Sequence, residues 1–304
     1  MSYQDIRTAR QRKSPSPIPF RSLRAAACGL LLTLLLPSGA WAQSSCGAAG
    51  GGCQKGTSAC HAKAAVRLAY AFDYVQRDKS SIEVLWPVGG DSAIVDSIRG
   101  WINERLGGTY QGPLADDGAM MAHYARQIDT LDTGYGEYST DRIAPCYEDS
   151  RAVTLLYDNY TFLGGAHGMG CLVGATFRKQ DGLRFTQAMI QSTDALHALL
   201  VAGLKTYFGV STDTELLAGL QLGGSMEPSS TTDSIPLPAS APWLTGDGVV
   251  FRYLPYEIAC YAAGAPTVTI PASELSPLLT PEGRSFLGLK PQAACCGGSK
   301  GAVE

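Results

Sequence analysis

The sequence predicts an α+β fold, a largely antiparallel sheet with helices packed on it. Apolar residues alternate in short runs that turn back on themselves at glycines, which is the spacing of paired strands. Between those runs, apolar residues recur every three or four positions, which is helical spacing. The strict strand–helix alternation of a dinucleotide-binding fold is absent. With 304 residues, 45% hydrophobic and 17% charged, the chain can bury a sizeable core, which excludes disorder along its whole length. Its net charge of −3 comes without a basic stripe, so nucleic acid is not an expected partner.

Residues 1–42 read as a signal peptide. Arg7, Arg10, Arg12, Lys13, Arg21 and Arg24 stand against the single acid Asp5, an apolar run covers 25–36, and Ala40-Trp41-Ala42 supplies a small-x-small cleavage site. The apolar run is too short to span a hydrocarbon core of ~30 Å as a stable anchor. Export to the periplasm or cell envelope is therefore expected, with no transmembrane helix in the mature chain. A retained signal anchor is the rival reading. A lipid anchor on Cys46 is another, although Gln43-Ser44-Ser45 is a poor lipoprotein box. Removing residues 1–42 takes away six basic residues and one acid, shifting the net charge from −3 to −8. An acidic exported domain favours a cationic partner without naming one.

Residues 43–63, rich in Gly, Ser and Cys, read as a tether, and 290–304 read as a similar flexible tail. Eight cysteines remain after position 42: Cys46, Cys53, Cys60, Cys146, Cys171, Cys260, Cys295 and Cys296. An even count in an exported chain points to disulfides, with the tail pair a candidate to tie back to the tether. Free or mixed thiols and a metal site are the alternatives. The spacing matches no usual zinc pattern, and neither metal nor cofactor is expected.

The domain covers 64–289, with an amino-terminal part 64–133. There, strands at 66 to about 76 and 81–86 are followed by a helix capped by Asp91, carrying Ile94, Val95, Ile98, Trp101, Ile102 and Leu106 and stopped at Gly107-Gly108. A second helix runs from 115 to about 127, and its Met120, Met121 and Tyr124 read as core. The part 134–289 opens with strands 135–147 and 152–162, a glycine turn at 164–168, and a returning strand 169–178. Gln180-Asp181-Gly182 is a hairpin signal. Ser192-Thr193-Asp194 opens an amphipathic helix through Phe208. A Ser/Thr/Pro-rich loop at 225–242 precedes strands 248–254 and 267–270 and a closing helix 272–279.

Two segments carry a resemblance. Tyr160-Thr161-Phe162-Leu163-Gly164-Gly165-Ala166-His167-Gly168 resembles the aromatic strand and Gly-Gly-Ala-His turn of a family of exported domains. Residues 247–264, containing Tyr253-Leu254-Pro255-Tyr256-Glu257-Ile258-Ala259-Cys260-Tyr261, resemble that family's second signature. The turn 181–186 and the closing residues 268–275 also fit, so the resemblance spans roughly 66–285. The family is typified by the extracellular, lysozyme-binding part of the RsiV anti-sigma factor, and it also occurs beside the catalytic domain of the peptidoglycan deacetylase PdaC. The resemblance implies an envelope binding module for a lysozyme-like protein or peptidoglycan.

Departures bound that implication. Too few residues precede the apolar run for a packed sigma-binding domain. Asp116-Asp117-Gly118 lacks the His-rich metal motif of a deacetylase and reads as a loop or helix start. Cys260 stands where the family usually has proline, which suggests a local covalent constraint.

The candidate ligand-binding or motif residues are Tyr160, Gly164, Gly165, His167, Tyr253, Tyr256, Glu257 and Tyr261. His167 suits a turn lock, a ligand contact or a general base. Glu257 reads as a buried acid held by backbone donors or by His167; a His–Glu pair would clamp the turn to the second signature. No catalytic residue is assigned. A hydrolase or deacetylase-associated enzyme acting on envelope polysaccharide is the enzyme alternative, but the sequence has no Gly-x-Ser-x-Gly elbow and no phosphate-cradling loop. The sequon at Asn159-Tyr160-Thr161 falls in an expected strand and is discounted. Of the remaining histidines, His61 lies in the tether, and His123 and His197 lie on expected helices.

Overall fold

The computed structural model of the chain describes residues 68–222 and 231–289, all within the unit Cys60–Glu304. The expected signal peptide, tether and tail, with Cys46, Cys53, Cys60, Cys295 and Cys296, lie outside the described residues.

Strands β1 (Tyr70–Arg77) and β2 (Ser80–Pro87) form an antiparallel hairpin. In β2 the period of two is visible in burial: Ile82, Val84 and Trp86 are buried, while Ser81, Glu83 and Leu85 are only half-buried. Helix α1 (Ser92–Arg105) begins where the Asp91 carboxylate accepts from the Ala93 amide, and it buries Ile94, Ile98, Trp101 and Ile102. Helix α2 (Asp117–Ile128) is capped by Asp116, so Asp116-Asp117-Gly118 is a helix start, and Met120, Met121 and Tyr124 are core. The two helices supply the crossover that lets β3 (Tyr138–Glu148) lie parallel to β2. Strands β4 (Ala152–Phe162) and β5 (Met169–Arg178) complete a sheet of order β1-β2-β3-β4-β5, antiparallel at every pair except β2–β3.

A second layer follows. Helix α3 (Asp194–Phe208) is capped by Thr193, and α4 (Asp213–Gly219) by a reciprocal box of Thr212 and Glu215. Strands β6 (Trp243–Thr245), β7 (Gly248–Arg252) and β8 (Thr267–Ile270) make an antiparallel sheet of order β6-β7-β8. Helices α5 (Ala272–Leu275) and α6 (Pro281–Phe286) close the domain.

The five-stranded sheet has a core on each face. Val153, Leu155, Ala175 and Phe177 pack with α1 and α2 on one side. On the other, Thr154 and Thr176 are bonded to each other at 2.8 Å and hold β6: Thr154 Oγ1 donates to the Leu244 carbonyl, and the Leu244 amide donates to Thr176 Oγ1, each at 2.8 Å. Ala152 joins the core built on α3 and the smaller sheet. Gly174 fits the joint because a Cβ there would lie 2.4 Å from the Trp243 ring.

Several expected boundaries move. The expected closing helix 272–279 breaks into a 3₁₀ turn, Ser276–Leu278, at Pro277, which lacks the amide proton needed to continue it. The strand expected at 248–254 stops at Arg252, and the one from 66 begins at Tyr70. The turn 180–182 reverses the chain but leads only to a single bridge, Phe177 to Arg184. Among the described residues no helix is long and apolar enough to cross a membrane.

Candidate binding face

Beyond the patch covered by β6, the outer face of the large sheet is open. Strand register puts Phe72 and Tyr74 of β1, Glu83 and Leu85 of β2, Tyr138 and Arg142 of β3, and Asp158, Tyr160 and Phe162 of β4 on it together. The rings cluster. Phe72 and Tyr74 stack with centroids 6.4 Å apart, and Tyr138 lies 5.9 Å from both Tyr160 and Phe162. Phe72 and Tyr74 are 62% and 47% exposed, so these large apolar groups are presented to solvent. Between the rings Arg142 is paired with Glu83 at 2.8 Å.

The β4–β5 turn forms the rim. Gly164 and Gly165 have φ of 84° and 100°, and nothing lies within 4 Å of where their side chains would start, so they serve the turn's backbone. Gly168 serves contact: a Cβ there would lie 2.5 Å from the Tyr160 ring, and its amide donates to Tyr160 Oη at 3.1 Å. His167 Nδ1 lies 2.8 Å from the Gly168 carbonyl, which can only accept, so Nδ1 carries the proton. Nε2 is then the acceptor for Tyr256 Oη at 3.3 Å. The imidazole stacks on Tyr261 at 4.1 Å and 16°, with Tyr256 5.6 Å from Tyr261. Tyr256 is 51% exposed and sits at φ 68°, a left-handed conformation costly for a bulky residue.

The expected His167–Glu257 pair is not formed. Glu257 accepts from the backbone amides of Ala239 and Leu254, each at 2.7 Å, so it closes the turn after β7 and leaves His167 to the tyrosines. Tyr253 belongs to the core: it is fully buried, and its hydroxyl donates to the Pro236 carbonyl at 2.8 Å. Burial pushes its phenol pKa up.

Cys146, Cys171 and Cys260 carry no disulfide among the described residues. Cys146 and Cys171 lie on strands separated by β4, roughly 10 Å apart at the least, beyond disulfide reach. The covalent constraint expected at Cys260 is likewise not seen; its thiol is exposed.

Beside the His167–Tyr261 stack is a cleft of about 310 Å³ lined by Asp158, Cys171, Leu172, Arg252 and Tyr261, among others. Arg252 Nη1 donates to Thr267 Oγ1 at 2.8 Å, and Nε is buried without a hydrogen-bond partner. Burial lowers the guanidinium pKa, while Tyr207, Cys171 and Asp158 act in the opposite sense. The Cys171 thiol is raised by burial, against the pull of Arg105 and Arg252.

One polar cluster was not anticipated. On the helix-covered face, the Asp141 carboxylate accepts from Tyr157 Oη at 2.7 Å, Asn159 Nδ2 at 2.8 Å and Ser139 Oγ at 3.2 Å. Polar residues at alternate positions, Ser139 and Asp141 facing Tyr157, Asn159 and Thr161, were the signal. Their groups are spent on one another, which makes the cluster a brace.

A larger groove, about 710 Å³, runs along α3 past Asp194, His197 and Asp233. It contains none of the candidate residues. Among the described residues no three His, Cys, Asp or Glu side chains converge as metal ligands.

Comparison with known proteins gives the fold a context. Residues 232–273 match the model of a family described as a protein of unknown function, DUF3298, a stretch that contains the second signature but not the Gly-Gly-Ala-His turn. The fold is similar to a crystal structure of a DUF3298-family member from Bacteroides fragilis, at 18% identity and a TM-score of 0.56, covering 72% of this chain and 96% of that one. A DUF3298-family protein from Pseudomonas aeruginosa is similar at 18% identity and a TM-score of 0.52, covering 72% of this chain and 97% of that one. No curated protein matches the chain. The chain thus shares the fold of DUF3298 structures and carries one segment that the family's model recognises.

Proposed function

We propose that the chain is an exported module of the cell envelope that binds cell-wall glycan without catalysis of its own. The observation that carries this reading is the open sheet face with Phe72, Tyr74, Tyr138, Tyr160 and Phe162. Flat rings offer large contact area at low conformational cost, and a sugar strand presents faces of C–H groups to lie on them. The resemblance to RsiV-type domains, and their occurrence beside a peptidoglycan deacetylase, supports an envelope ligand. Both ring nitrogens of His167 are engaged by the Gly168 carbonyl and Tyr256, which suits a positioned docking residue better than a general base.

A lysozyme-like protein is the second reading. Leu163 and Met169, 65% and 41% exposed, flank the β4–β5 turn, and large apolar groups presented to solvent there would suit protein docking. The net charge of −8 without residues 1–42 would steer a basic partner, with binding that weakens as salt rises.

Co-sedimentation of the full chain with purified peptidoglycan, alongside titration with lysozyme, tests both. On the glycan reading, Phe72→Ala and Tyr74→Ala each weaken glycan binding roughly tenfold and leave the melting temperature nearly unchanged. Glycan binding indifferent to both substitutions would refute the sheet face as the site. Release of reducing ends or acetate in the same samples would instead establish the hydrolase or deacetylase alternative.

A further inference from the structure

We propose that the cleft beside the rim is a carboxylate subsite, where Arg252 takes the carboxylate of an acidic sugar and Tyr261 lies along its ring. The inference rests on the glycan reading and narrows it to a class of sugar.

Arg252 is half-buried at the end of β7, yet no carboxylate lies within ion-pair distance of it among the described residues. Its one hydrogen bond is to the neutral hydroxyl of Thr267, and Nε has none. Its Nε is shut away from water with no acceptor, a cost that an anionic partner at the fork would offset. An arginine in this condition on the wall of a solvent-open cleft is ready for an anion from outside, and its planar fork matches a carboxylate.

Two neighbours narrow the choice of anion. Tyr261, stacked on His167 and so held in orientation, lines the same cleft and suits a ring more than a bare ion. Asp158 is exposed on β4 and also lines it; a carboxylate there accepts from hydroxyl donors and repels a ligand that is only anionic. A sugar with one carboxylate and several hydroxyls satisfies both groups at once. The cleft, about 310 Å³, is at the lower end of small-ligand sites, ~300–1,000 Å³, which suits one ring of a strand.

The test uses the full chain and two pairs of probes: N-acetylmuramic acid and its carboxyl-reduced derivative, then a soluble peptidoglycan tetrasaccharide with its carboxyls intact or reduced. The first pair probes a free acidic sugar, the second one embedded in a strand. The intact form of at least one pair should bind at least tenfold more tightly, with a preference that shrinks as salt rises. Arg252→Gln should abolish that preference while leaving affinity for the reduced form within twofold, and Arg252→Lys should retain part of it. Equal binding of intact and reduced probes by the wild-type chain overturns the subsite and leaves the glycan reading standing. A preference that survives Arg252→Gln also overturns it. Failure to bind any probe or peptidoglycan overturns the glycan reading and the subsite with it. If Arg252→Gln does not fold, as judged by circular dichroism, the wild-type comparison and Arg252→Lys decide.

Discussion

Gly168 and Gly165 lie three residues apart in one turn and are glycines for different reasons. A methyl group at Gly168 would press on the Tyr160 ring and the Thr161 carbonyl, whereas at Gly165 it would meet open space at a strained φ. Gly168→Ala should therefore cost about 1–3 kcal/mol, as overpacking does, and displace Tyr160. Gly165→Ala should cost about 1 kcal/mol through backbone strain alone. Chemical denaturation of the two variants checks the ranking; equal costs would remove the distinction. Local chemistry of this kind was legible in the sequence, since a Gly-rich turn after an aromatic strand states its own constraint. The partners of His167 and Glu257 were not. His167 meets Tyr256 and Tyr261 across some ninety positions, and no spacing rule pairs residues that distant. Glu257 was expected to answer to backbone donors or to His167, and the backbone took both oxygens because the loop after β7 leaves amides that need acceptors.

Elements with a clear period or cap were the readable ones. Asp91, Asp116 and Thr193 stand at their helix starts, and β4 and β5 occupy the expected residues. Strand β6 has three residues, too few to show alternation. Helix α4 does carry a readable sign, the Thr212–Glu215 box, but seven residues are too few for a helical period to show beside it. The turn before β3 gives a prediction at this scale. The Thr133 hydroxyl and amide hold the Glu137 carboxyl down from 4.5 to about 2. Ionised Glu137 thus favours the folded turn: its contribution is complete above a pH of about 4.5 and is lost as pH falls through about 2. NMR titration of the Thr133 amide and the Glu137 side chain should show a common midpoint near 2. A midpoint near 4.5 would mean that the turn does not hold the acid.

At the scale of the molecule, one sheet serves two cores, and β4 sends alternate side chains into each. Val153 lies in the core under α1 and α2, and Leu200 in the core built on α3. Val153→Ala and Leu200→Ala should each shift a single unfolding transition to lower denaturant, the leucine change by about 2–5 kcal/mol. Near-ultraviolet and far-ultraviolet signals should move together. Two separated transitions would show that the layers unfold independently. The sequence foretold helices on a sheet, but not that each face would carry a core of its own, because a pattern of buried positions does not say which neighbour buries them. Strand β1 stands at one margin of that sheet and pairs only with β2 among the described residues. Its outer row of peptide groups is an invitation to self-templated stacking, with the protruding Phe72 and Tyr74 able to reinforce a mistaken join. The exposed Arg77, Asp78 and Lys79 at the hairpin end are the sort of charged gatekeepers that discourage fibril growth, so neutralising them should shorten the shelf life of concentrated stocks.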